Sequence, residues 1–238
     1  MMKFFLKGLA FSIVILSLMQ CQHEKHQHEE GGDHGDAHQH HHGDANDHML
    51  QTPIEELIQR FDNPERDEWQ KPNDVMALLN VDSSQTWLDI GSGSGYFSFR
   101  LLNAGASVIC GDVDDRFLGH IRQKRDSLGI PANKMKLRKL PYNAPNLKEK
   151  EADGVLIVDT YHHIEDRIKY FKLVKFGLKD DGKLVVIDFF KKETPVGPPV
   201  EMKMSEETVM DELKAAGFTN FEINDELLPY QYVIVARG

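Results

Sequence analysis

From Thr86 to Ala236 the apolar positions switch repeatedly between two spacings. Short apolar runs of strand length occur at Trp87–Ile90, Ser107–Cys110, Gly154–Val158, Lys183–Phe189, Phe221–Asn224 and Tyr232–Ala236, with a weaker one at Met135–Leu137. Between them, apolar residues recur three or four apart, which is helical spacing. The helices predicted in this way are Phe97–Ala104, Asp114–Leu128 (Phe117, Leu118, Ile121 and Leu128 inward), Glu165–Leu178 and Glu206–Ala216, the last stopped by Gly217. Gly154–Val158 is continuously apolar, as expected of a central strand covered on both faces. Repeated strand–helix units imply a mostly parallel sheet between two helical layers. The last two strands have no helix between them and should pair as an antiparallel hairpin. Upstream, Ile54, Leu57, Ile58 and Phe61 mark a helix over Pro53–Phe61, and Asn63-Pro64 breaks it. A charged stretch surrounds Trp69, and Pro72 opens another helix carrying Val75, Leu78 and Leu79 on one face.

The N-terminal fifth follows neither period. Lys3 and Lys7 precede an apolar run from Leu9 to Met19, the layout of a secretory leader and short for a membrane-spanning helix. Leu18-Met19-Gln20-Cys21 resembles a bacterial lipobox, with Gln20 where a small residue is usual. That resemblance implies a lipid anchor on Cys21 and a place on the periplasmic side of the cell envelope; a later start site would make the protein cytoplasmic. From His23 to His48 there are nine histidines among acidic residues, Gln and Gly, with almost nothing apolar. Such a segment cannot offset its ordering entropy, and a disordered tether is expected. Imidazoles at this density can hold divalent Zn, Cu or Ni loosely, but without the fixed spacing of a structural site, so no residue is assigned as a metal ligand. The expected organisation is a leader over 1–21, a His-rich tether over 22–50, a helical lid over 51–80 and a catalytic domain over 81–238.

Charge and cysteines narrow the class further. The formal net charge is -10, and seven acidic residues against Lys25 alone fall between Gln22 and Gln51. The absence of a basic excess argues against nucleic acid as a partner. Cys21 ends the leader and Cys110 lies in a predicted buried strand, so no disulfide is expected.

The candidate chemistry sits where the first strand ends. Leu88-Asp89-Ile90-Gly91-Ser92-Gly93-Ser94-Gly95-Tyr96 follows a strand and opens a helix, the context a ligand-binding glycine loop needs. The third glycine, Gly95, comes one position earlier than in the dinucleotide fingerprint, and no Gly-Lys-Ser/Thr follows to make a phosphate loop. Asp89 stands two residues before the first glycine. A carboxylate there would repel a phosphate and attract a cationic ligand such as an ammonium or a sulfonium. Asp112 ends the second strand, where an acid can accept from both hydroxyls of a ribose.

These strings, followed by Asp112-Val113-Asp114 and by Val158-Asp159-Thr160-Tyr161-His162-His163-Ile164, resemble the successive motifs of class I S-adenosylmethionine-dependent methyltransferases. The likeness runs from about Val81 to Arg237. Pro64-Glu65-Arg66-Asp67-Glu68-Trp69-Gln70-Lys71-Pro72 resembles the lead-in of a bacterial subgroup, some of whose members carry lipoprotein-like N-termini. The resemblance implies a Rossmann-like three-layer sandwich with strand order 3-2-1-4-5-7-6, and S-adenosylmethionine as cofactor. Its cofactor residues would be Asp89, Gly91, Ser92, Gly93, Gly95, Asp112, Val113 and Asp159. Asn143 would meet the adenine, in place of the more usual Asp.

The acceptor should lie over the carboxyl ends of the central strands. His162 and His163 are candidate proton acceptors there, and Tyr161 a candidate pocket wall. Asn-Pro-Pro-Tyr, used by methyltransferases acting on adenine amino groups, is absent at this strand end, so a small-molecule acceptor is expected. Two rival readings stand beside this one. One is a non-catalytic, lipid-anchored metal-binding envelope protein that keeps the Rossmann-like module for binding; the other is a nicotinamide oxidoreductase, against which Asp89 and the early Gly95 speak.

Overall fold

The computed structural model describes residues 49–238, so the leader, Cys21 and all nine tether histidines lie outside the described residues. Three short helices come first: α1 (Ile54–Phe61), α2 (Arg66–Gln70) and α3 (Pro72–Leu79). Then follow β1 (Thr86–Ile90), α4 (Tyr96–Asn103), β2 (Ser107–Asp112), α5 (Asp115–Ser127), β3 (Met135–Lys139) and β4 (Ala152–Val158). The chain ends with α6 (Arg167–Gly177), β5 (Leu178–Phe189), α7 (Glu206–Ala215), β6 (Asn220–Asn224) and β7 (Gln231–Arg237). The seven strands form one sheet in the order β3-β2-β1-β4-β5-β7-β6, the expected Rossmann-like arrangement. All pairs are parallel except those made by β7, which runs antiparallel to both β5 and β6.

The apolar runs split their side chains between two cores because successive strand residues point to opposite faces. Val155 and Ile157 of β4 and Leu184 and Val186 of β5 join Phe171, Val174, Val209 and Leu213 of α6 and α7. Leu156, Val158, Val185 and Ile187 join Val75, Leu79, Phe97, Leu101 and Ile121 of α3, α4 and α5 on the other face. This double burial is why β4 reads as continuously apolar. Trp87 of β1 is fully buried and lies flat against Gly154 of β4, where a Cβ would come within 2.5 Å of the indole. Three helices start on a side-chain cap that satisfies an orphan N–H: Asp114 for α5, Asp166 for α6 and Ser205 for α7.

Leu128 departs from the expected pattern. Helix α5 ends at Ser127 and the chain turns out through Gly129 (φ 65°), which leaves Leu128 61% exposed instead of facing the core. No helix among the described residues is long and apolar enough to cross a membrane.

The strand order reverses between β1 and β4, the point where ligands settle in open sheets of this kind, just beyond the carboxyl ends of the strands. The glycine loop, Asp112 and Asp159 all emerge at that end.

Candidate active site

The loop from Gly91 to Gly95 leaves β1 in a conformation that only glycine adopts freely, with φ of 70° at Gly91 and 51° at Gly93. Space adds to the constraint: a Cβ on Gly91 would lie 2.4 Å from Thr160 Oγ1, and one on Gly93 3.2 Å from the Phe61 ring. The loop is tied to the end of β2. Gly91 and Ser92 N–H donate to the Gly111 carbonyl, and Gly93 N–H donates to Asp112 Oδ2 at 2.9 Å. Asp112 Oδ1 takes the Asp114 N–H, also at 2.9 Å. A carboxylate offers about four lone-pair positions, so Asp112 both clasps the loop and keeps accepting capacity for a pair of hydroxyls.

Three carboxyl groups meet around this loop, and burial raises the pKa of each. Asp89 is 3% exposed and accepts from Ser98 Oγ at 2.5 Å; burial pushes its pKa up to about 7, against the pull of that hydrogen bond. Burial lifts Asp112 to about 6, its two backbone donors opposing. Asp159, at φ 51° just past β4, is raised to about 7 by burial, with Arg66 pulling the other way. Even with Arg66 near Asp159, Asp89 and Asp159 sit close to protonation at neutral pH.

The helices α1 and α2 form a strap over the loop. Phe61 stacks on Phe117 at 5.6 Å, Ser94 Oγ donates to Asp62 Oδ1 at 2.5 Å, and Tyr96 OH donates to Asp67. Trp69 packs at 5.7 Å from Phe189. Arg66 turns inward between these groups. Its guanidinium lies 4.1 Å from the centre of the Tyr96 ring, and Nη1 donates to the Phe61 carbonyl at 3.1 Å. A polar ring joins the strap to the sheet. Arg66 Nε and Nη2 donate to Gln70 Oε1, Gln70 Nε2 donates to Gln231 Oε1 at 2.6 Å, and Gln231 Nε2 donates to Asp159 Oδ1. Arg66 Nη2 closes the ring 3.7 Å from Asp159 Oδ2.

The Tyr161-His162-His163 string forms a 3-10 turn that sends its side chains different ways. Tyr161 is fully buried in the core, stacked on Phe171 at 4.9 Å, with its hydroxyl donating to Glu212 at 2.7 Å. The expectation that it walls a pocket is corrected: it is a packing residue, because the tight turn directs it under α6. His162 is 3% exposed, and its Nδ1 lies 3.1 Å from Asp188 Oδ2 at the end of β5. Burial lowers the His162 pKa, but the charges and hydrogen bond of Asp188, aided by Asp159, outweigh it and the net shift is upward. His163 is half-buried and stacks on His162 at 4.4 Å.

Val113 packs against the core just past Asp112, and its carbonyl accepts from Lys139 Nζ. Asn143 lies exposed in the turn after β3. The structure thus brings Asp89, the glycines, Asp112 and Asp159 together at the carboxyl ends of β1, β2 and β4 and leaves Asn143 on the surface. It adds Asp188, Gln70 and Gln231, which no sequence pattern had singled out.

A cationic nucleoside with an amino-acid tail fits this donor set. Ser92 Oγ is buried with no hydrogen-bond partner among the described residues, an acceptor or donor left for a ligand. Asp112 keeps lone pairs for ribose hydroxyls, and the three raised acids favour positive charge. Among the described residues no group of three His, Cys, Asp or Glu could hold a metal ion.

Comparison with known proteins agrees with this geometry. Residues 88–186 match a family model described as a methyltransferase domain. A tRNA U34 carboxymethyltransferase of Aeromonas hydrophila is 30% identical over 128 residues; the match covers 53% of this chain, which spans 38% of that protein. A solved SAM-dependent methyltransferase from Aquifex aeolicus superposes with a TM-score of 0.71 at 25% identity, covering 78% of this chain and 98% of that one. A Pyrococcus horikoshii protein shares the fold, with a TM-score of 0.62 at 20% identity, covering 80% of this chain and 98% of its own. Residues 88–186 thus match a methyltransferase domain, the described residues carry the Rossmann-like fold, and S-adenosylmethionine is the cofactor that these comparisons support.

Proposed function

We propose that the protein transfers a methyl group from S-adenosylmethionine to a small protic acceptor, with His162 taking the acceptor's proton. The observation that carries this reading is the buried His162–Asp188 pair at the carboxyl ends of β4 and β5, beside the crevice that holds Asp159. Bound cofactor supplies an electrophilic methyl carbon, and the protein supplies alignment, dryness and a place for a proton. Asp89, Gly93 and Asp112 hold the nucleoside side, and Ser92 Oγ offers one further hydrogen bond. Asp188 engages Nδ1 of His162 and so fixes the tautomer. Nε2 would then be the nitrogen placed to take the proton of a hydroxyl or thiol acceptor.

The Aeromonas relative bears a tRNA-directed name. The acidic balance of this chain, -10 overall, favours a small molecule over a polyanion. The reading extends to the N-terminus as a proposal: Cys21 carries a lipid anchor that holds the domain at a membrane surface. The test is incubation of the full chain with isotope-labelled methyl donor and a small-molecule cell extract. Label should appear in a low-mass product and vanish in H162Q; label in RNA alone would overturn the acceptor class.

A further inference from the structure

Helix α6 is apolar on two sides. Tyr170, Phe171 and Val174 are buried in the core, as the outer layer of the sandwich requires. The opposite side of such a helix is ordinarily polar. Here Ile168, Leu173 and Phe176 are 39%, 38% and 53% exposed on it, three of the seven large apolar side chains that the described residues leave in solvent. Ile168, Lys172 and Phe176 follow one another at a spacing of four, with Lys169 and Leu173 beside them, and all five are exposed. The helix carries Arg167, Lys169, Lys172 and Lys175 and no acid, in a chain whose net charge is -10. The acids around it are engaged elsewhere: Asp166 caps its first turn, Glu212 binds Arg167, and Asp180 pairs with Lys150. Lys175 Nζ donates to the Gly217 carbonyl, whereas Lys169 and Lys172 form no ion pair among the described residues.

An outer face that interleaves aliphatic, aromatic and basic side chains suits the boundary layer of a bilayer. Rings and aliphatic chains enter the edge of the hydrocarbon there, while lysine stems lie along it and set their ammonium groups among phosphates. Resting on the anchored reading above, we infer that the outer face of α6 seats the domain on an anionic lipid surface. The anchor supplies nearness and α6 supplies orientation. Residues 22–48 can extend to about 90–100 Å, so the attachment at Cys21 does not dictate which face turns to the membrane, and the domain's own surface does. A nucleic-acid strand would use the two ammonium groups and leave three apolar side chains in water, which favours lipid.

The experiment is lysine footprinting with an acylating reagent on the full chain. It is run free in solution, on vesicles of phosphatidylcholine, and on vesicles of phosphatidylcholine with phosphatidylglycerol. Labelling of Lys169 and Lys172 should fall about fivefold or more on the anionic vesicles alone, the scale of the attraction one lysine feels near such a surface. Lys134, exposed beside the edge strand β3, should label alike in all three states. Phe176 is exposed, so F176E spares the core and should abolish the protection, as should high salt. Protection undiminished in F176E would overturn the proposal. Chain that sediments with both vesicles and labels alike on them would overturn the face and leave the anchor standing; chain that sediments with neither would overturn both. Slow labelling of Lys169 and Lys172 already in solution would assign the face to a second copy or to the chain's own N-terminal segment. Protection by a single-stranded RNA without vesicles would assign it to nucleic acid, and either result overturns the proposal.

Discussion

Cofactor binding should be strongly pH-dependent, because three carboxyl groups in the crevice are held close to protonation. Burial raises Asp89 and Asp159 to about 7 and Asp112 to about 6. A cation placed beside them stabilises their charged forms and lowers those values, so binding releases protons and tightens as pH rises. For one acid at about 7, the affinity penalty for deprotonating it falls about eightfold between pH 6.0 and pH 7.5, roughly 1.3 kcal/mol. Two acids titrating together would double that free energy. The window stays below the α-amino range of about 7.7–8.0, where the cofactor's own ammonium begins to lose its proton. Stability of the cofactor-free protein carries the opposite sign. The folded-state values lie above the unfolded aspartate value, so these groups stabilise most below pH about 4 and the contribution is lost as pH climbs to about 7. The thermal shift caused by cofactor should therefore be larger at pH 7.5 than at pH 6.0. The assay is calorimetry in two buffers of different ionisation enthalpy, which counts the protons released. An affinity flat across this window, with no buffer dependence, would refute the claim that these acids face the bound cation. Asp89→Asn should remove about one proton from the count if it still folds.

Other substitutions probe separate parts of the structure. H162Q should lower kcat by about 10²- to 10⁴-fold, the usual worth of a positioned general base, with little change in cofactor Kd. D188N should move the acidic limb of the pH–rate profile downward, because Asp188 raises the His162 pKa; an unmoved limb would separate the pair from catalysis. Gly154→Ala drives a methyl into the Trp87 ring and should cost about 1–3 kcal/mol in a denaturant melt. Tyr161→Phe leaves Glu212 with Arg167 as its remaining partner, and should lower stability by about 1 kcal/mol while sparing kcat.

The features legible in the sequence were those set by local chemistry. The glycine loop needs positive φ at fixed positions, and Asp89 and Asp112 lie within a few residues of the turns they serve. The strand–helix alternation and the final hairpin follow from period and loop length, whereas the sheet order was what the family resemblance implied. Partnerships across long stretches of chain were not legible. Gln70 and Gln231 stand 161 residues apart and carry no pattern that ties one to the other. Asp188 offered a signal that passed unnoticed: a lone acid closing the apolar run Leu184–Ile187. Tyr161 looked like its histidine neighbours because one-dimensional spacing cannot show that a 3-10 turn drops it beneath α6. Asn143 was placed by analogy with a strand end, and the turn after β3 leaves it exposed.

The central claim is that the crevice beyond β1, β2 and β4 accepts a positively charged nucleoside amino acid. Equilibrium titration of the purified full chain with S-adenosylmethionine, run beside NADH, tests it most directly. Saturable one-to-one binding of the sulfonium compound with no uptake of the dinucleotide is the predicted result. Tight NADH binding with no response to S-adenosylmethionine would contradict it.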